Sequence, residues 1–127
     1  ADGDALERQA ASGDYRSIVV HARKLISDGV KEVLVTLGSA GACLVTATGA
    51  WAATAPPMTT RSTVGAGDSA LAGYIMARVE GADPCECLRR GVAYGSAAAA
   101  KPGTGIPSPD EVDTVNTHVV ALETEPR

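Results

Sequence analysis

Between Asp14 and Gly29 the apolar residues Ile18, Val19, Ala22, Leu25 and Ile26 return at a spacing that gathers them on one side of a helix of about four turns. Asp14 is placed to cap its start and Asp28-Gly29 to end it. The pattern then changes. Val33 to Leu37 is an unbroken apolar run, as expected of a strand buried on both faces of a parallel sheet. ACLVTAT and AWAATA follow, parted by a turn at Thr48-Gly49, and predict a β-hairpin whose second arm stops at Pro56-Pro57.

An extended piece, Met58 to Val64, runs into Gly65-Ala66-Gly67-Asp68. Beyond it Leu71, Ala72, Ile75, Met76 and Val79 form the apolar stripe of a second helix. A third helix opens at Asp83-Pro84-Cys85-Glu86, which supplies an N-cap acid, Pro at the first position and Glu at the third, and runs through Leu88 and Val92 to Lys101-Pro102-Gly103. Ser108-Pro109-Asp110-Glu111 has the same form and predicts a last helix with Val112, Val115, Val119 and Leu122 on one face. Residues 1–13, with Leu6 as their one large apolar side chain, read as a leader or the remnant of an upstream segment, and 14–127 as one domain. The order is helix, strand, hairpin, extended piece and three helices, an α/β layered arrangement.

Composition narrows the class. The chain has 127 residues, 45% apolar and 20% charged, the balance of one soluble domain with a single core. No run reaches the roughly 18 to 20 apolar residues of a membrane span, so a cytoplasmic protein with no membrane partner is expected. Net charge is -4 and the signs are interspersed, which leaves no basic face for nucleic acid. Cys43, Cys85 and Cys87 have no His or Cys companions at metal spacing and read as reduced thiols. No residue is assigned to a metal. His21 and His118 both fall in helical patterns with no obvious partner and read as surface or packing residues, not ligands.

Gly65, Ala66 and Gly67 leave their backbone N-H groups unshielded at the first turn of a helix, where these groups and the helix dipole favour an anion. Asp68, one residue further, cannot be that anion's counter-charge. Beside a phosphate it makes a poor binder but a good base, able to take the proton of an attacking hydroxyl. The four residues taken alone fit a tight turn with an acid in the first helical turn equally well.

The longer stretch STVGAGDSALAGY, Ser62 to Tyr74, resembles the second signature of the PfkB-type (ribokinase-like) carbohydrate kinases, matching it at Thr63, Gly65, Ala66, Gly67, Asp68 and Gly73. VLVTLGSAGACLVTATGAWAATAPP is similar to the same family's strand, glycine loop and hairpin. The wording around GAGD and the later PGTGIP look most like the 1-phosphofructokinase and tagatose-6-phosphate kinase branch. The resemblance implies a ribokinase-like three-layer α/β/α fold, of which this is the C-terminal nucleotide-binding part, with a short β-hairpin and three C-terminal helices. It also implies transfer of the γ-phosphoryl group of ATP, with Mg²⁺, to a ketohexose phosphate. Asp68 is then the general base, Gly65, Ala66 and Gly67 the anion hole, and Thr36, Gly38 and Gly41 nucleotide contacts. The family's sugar-recognising half would precede residue 1, and the full-length protein would be a homodimer through it.

Val92 stands where the family often carries Asn near the adenine. Lys101 and Arg61 are solvated charges that could steer phosphate, and Trp51 is a packing residue of the hairpin. Two other functions compete with the kinase: a nucleotide-binding module without catalysis, and an inactive kinase fragment. Calorimetry with Mg-ATP separates them, since the fragment alone gives no heat at millimolar nucleotide.

Overall fold

The computed structural model describes residues 14–37, 41–55, 66–100, 107–112, 114 and 116–122. Helix α1 (Arg16–Ser27) is followed by strands β1 (Glu32–Thr36), β2 (Ala42–Thr46) and β3 (Gly49–Thr54). Then come helices α2 (Ala66–Val79) and α3 (Pro84–Ala99), a single 3-10 turn (Pro109–Glu111) and strand β4 (His118–Ala121). The strands form one sheet in chain order, β1-β2-β3-β4.

Alternation along β2 explains the layers. Cys43 and Val45 point to one face, where Ile18, Val19 and Ala22 of α1 meet them with Leu37 and Ala50. Ala42 and Leu44 point to the other, against Tyr74 and Ala77 of α2 and Cys87, Leu88 and Val92 of α3. The sheet thus lies between α1 and the α2–α3 pair, the expected three-layer α/β/α order. Leu44, Val45 and Leu88 are wholly buried, and each contributes about 1.5 to 3 kcal/mol over an exposed side chain. Trp51 packs against the same cluster, as a hairpin packing residue should.

Local signals placed most of these elements. Asp83 caps α3 by accepting the Glu86 N-H at 2.8 Å, with Pro84 at the first turn. The hairpin closes at its expected turn, Thr46 pairing with Gly49. At the head of α1 the cap residue is Tyr15, while Asp14 accepts the Arg16 N-H at 3.1 Å. Gly29, at φ 110°, ends that helix in the left-handed region that glycine enters freely.

Three expectations are corrected. β1 was expected in a parallel sheet with both faces buried, yet its ladder among the described residues is antiparallel to β2 and its side chains are half-buried or exposed. The link from Leu37 to Gly41, closed by Leu37 N-H donating to the Gly41 carbonyl at 2.8 Å, is too short for a parallel crossover. The α2 stripe faces outward: Leu71, Ile75, Met76 and Val79 are exposed, and Ser69, Ala70, Gly73, Tyr74 and Ala77 are buried. Small residues face inward because α2 lies close against α3, where an added β-carbon at Gly91 would stand 3.0 Å from the Ala70 carbonyl. The third C-terminal helix does not form among the described residues. Its Ser108–Glu111 capping box forms, but Val112 is already extended and the chain goes on to β4, which pairs with β3. His118 therefore opens a strand, while His21 lies in α1 as read; both are exposed.

Candidate active site at the first turn of helix α2

Ala66, Gly67 and Asp68 are the first three residues of α2, and Gly67 and Asp68 are exposed. A β-carbon at Gly67 would meet no described residue within 4 Å. No hydrogen bond or ion pair to Asp68 is found among the described residues. Ser69, next in line, is wholly buried, and its hydroxyl has no hydrogen-bond partner among them.

The turn is set from behind by α3. A β-carbon at Gly95 would lie 3.1 Å from Ala70 Cβ and 3.3 Å from the Ala66 carbonyl, so the glycine lets the two helices approach where α2 begins. Gly91 and Gly95 were not singled out from the sequence, although their four-residue spacing on a helix is the signal of such a contact.

Thr36 closes β1, exposed, opposite Ala42, and Gly41 is the residue before that pair. The two expected nucleotide contacts therefore sit together at one end of the β1–β2 ladder. Gly41 has a structural requirement of its own: φ is 96°, and a β-carbon would fall 1.9 Å from the Ala53 carbonyl oxygen. Gly38, Gly65, Arg61, Lys101 and the extended segment from Met58 to Val64 lie outside the described residues. Val92 is buried in the core between α3 and the sheet, so its side chain is not available to an adenine.

Glu32, at the start of β1, escaped notice in the sequence. It accepts hydrogen bonds from the Tyr74 hydroxyl and from Arg78, both on α2. Burial, together with the bond to Glu32, holds the Tyr74 hydroxyl well above its ordinary pKa. Burial also pushes the Cys43 thiol up to about 11 and raises Cys85 and Cys87, so all three remain thiols at neutral pH. No group of three or more His, Cys, Asp or Glu at metal-binding reach occurs among the described residues.

A concavity lies at the start of α3, away from the first turn of α2, lined by Glu86, Arg89, Thr114, Thr117, His118 and Val119. Arg89 is already held there by Glu86 and by the Thr117 carbonyl at 3.2 Å. It contains none of the expected site residues. Among the described residues no helix is long and apolar enough to cross a membrane.

Comparison with known proteins gives a consistent answer. The profile described as "pfkB family carbohydrate kinase" matches residues 4–111. The chain is 38% identical over 98 residues to 1-phosphofructokinase of Haloferax volcanii, covering 77% of this chain and 32% of that one. It is 35% identical over 99 residues to the ATP-dependent 6-phosphofructokinase isozyme 2 of Escherichia coli, with shares of 77% and 32%. The crystal structure of ribokinase from Thermotoga maritima superposes with a TM-score of 0.70 at 27% identity, covering 81% of this chain and 35% of that one. The chain thus spans about a third of the length of the curated relatives it matches.

Proposed function

The chain belongs to the pfkB family of carbohydrate kinases, and from that premise we propose that it is the ATP-binding and catalytic-base portion of a sugar-phosphate kinase of the 1-phosphofructokinase type. The observation that carries the reading is the first turn of α2, where an exposed Asp68 stands beside an exposed Gly67 whose added β-carbon would meet no described residue within 4 Å. Asp68 acts as general base, accepting the proton of the acceptor hydroxyl. The backbone N-H groups of Gly65, Ala66 and Gly67, with the dipole of a fourteen-residue helix behind them, balance negative charge on the transferred phosphoryl group. Most of the rate comes from this positioning and neutralisation, and about 10² to 10⁴ from the base.

ATP, when bound, supplies the phosphoryl group. Thr36, which is exposed, Gly38 and Gly41 are its proposed contacts. With Val92 buried, no side chain at that position reads the adenine. Mg²⁺ belongs to the proposed reaction, and no described residue is assigned to it. The acceptor is a phosphorylated ketohexose, the class named for both relatives, with fructose 1-phosphate the first to assay. A homodimeric, cytoplasmic enzyme completes the proposal.

Replacing Asp68 by Asn in the full-length protein tests it. Turnover falls by about 10² to 10⁴, while calorimetry with ATP shows nearly unchanged affinity. Near-normal turnover in the Asn variant would remove Asp68 as the base.

A further inference from the structure

Helix α2 has an unusual hold on the sheet. Its inward face is built from Ser69, Ala70, Gly73 and Ala77, with Tyr74 as the one large side chain, and it lies against a face of α3 that includes Gly91 and Gly95. These close contacts fix α2 against α3, so what ties α2 itself to the sheet is the set of its side chains that reach across to a strand. The outward face adds no anchor among the described residues, since Leu71, Ile75 and Val79 are exposed. The hydrogen bonds found there between α2 side chains and the sheet both end on one residue, Glu32, which receives Tyr74 and Arg78.

The two bonds differ in character. Tyr74 is 7% exposed, and its hydroxyl reaches Glu32 from within the core. The Arg78 side chain is 56% exposed, and its ion pair is weakened by solvent. The tyrosine bond is therefore the firmer one, and Arg78 completes the carboxylate's second oxygen. At 1.5 Å per residue, Tyr74 and Arg78 lie about 9 and 15 Å along the axis from Asp68. A helix held at that distance transmits any tilt or roll to its first turn, and a tilt of roughly 4° over 15 Å displaces the turn by about 1 Å. Displacements of that size cost up to about a hundredfold in rate when they misplace a reacting group.

We propose that Glu32 is a positioning residue for Asp68, fixing the roll and tilt of α2 through Tyr74 and Arg78 so that the carboxylate at the helix start meets the acceptor hydroxyl. This inference rests on the assignment of Asp68 as base, and the test separates the two. In the full-length protein, Glu32→Gln and Tyr74→Phe are assayed for kcat and KM, in the native background and combined with Asp68→Asn. Both variants are expected to lower kcat about tenfold while KM for ATP stays within about twofold. Neither is expected to lower the residual turnover of Asp68→Asn further, because no base remains to be positioned. Equal losses in both backgrounds, or an unchanged kcat in both single variants, would overturn the positioning role while leaving Asp68 as base. Native turnover in Asp68→Asn alone would overturn the base assignment, and the inference with it. Tyr74→Phe removes a single oxygen and keeps the buried ring, so it carries the test if Glu32→Gln does not fold.

Discussion

Gly73 of α2 and Tyr94 of α3 lie so close that a β-carbon added at Gly73 would stand 2.8 Å from the tyrosine ring and 2.8 Å from the Arg90 carbonyl oxygen. Gly73 is one of the residues through which the sequence resembles its family, and its role is helix packing. Alanine is the better helix former by about 1 kcal/mol, yet backbone on the facing helix cannot give way cheaply. Gly73→Ala is therefore expected to destabilise the fold by about 1 to 3 kcal/mol. Gly67→Ala, on the same helix but exposed and with no described residue within 4 Å of the added β-carbon, is expected to be neutral or stabilising by up to about 1 kcal/mol. Urea denaturation of the two variants checks the contrast.

The same pair of helices shows what a sequence reveals and what it hides. Asp83-Pro84-Glu86 announced the start of α3 because a cap is a local device, complete within four residues. The face of α2 could not be judged in that way. Large apolar residues at Leu71, Ile75 and Val79 mark an amphipathic stripe, but close helix contact selects small ones, and it is Gly73 and Ala77 that turn inward. β4 was hidden for a related reason. Val119 and Val120 suit either a helix face or a strand, and the ladder with Ala52 and Ala53 decides between them. In the candidate site, Ala66 to Asp68 was legible as a motif, whereas Glu32 was not, since its partners lie 42 and 46 residues away.

Gly41 allows a sharper test of backbone demand. It shares a positive φ with Gly29, at 96° and 110°, but only Gly41 has a carbonyl oxygen 1.9 Å from where a β-carbon would sit. Gly29→Ala bears the strain of the left-handed region alone, about 1 to 2 kcal/mol. Gly41→Ala adds a clash with the backbone of β3 and is expected to cost about 3 kcal/mol or more. Denaturation midpoints of the two variants measure the difference. Equal losses would mean that the approach to Ala53 does not require glycine.

Cys43 links stability to pH in a direction that can be stated in advance. Its side chain is wholly buried between α1 and the sheet, and burial raises the thiol from an ordinary 9.0 to about 11. A raised pKa means that the folded state holds the proton more tightly than the unfolded chain does. The contribution is therefore complete below pH 9 and is lost as pH climbs towards 11. At 1.36 kcal/mol per unit of pKa, the loss amounts to about 3 kcal/mol at most. Other groups titrate in this range, Tyr74 among them, so the quantity to measure is the difference between the native chain and Cys43→Ala. Cys43→Ala is expected to be less stable at pH 7.5, because it leaves a small void, and to lose less on going to pH 10.5. Parallel stability curves across that range would show that the Cys43 thiol ionises as readily in the fold as outside it.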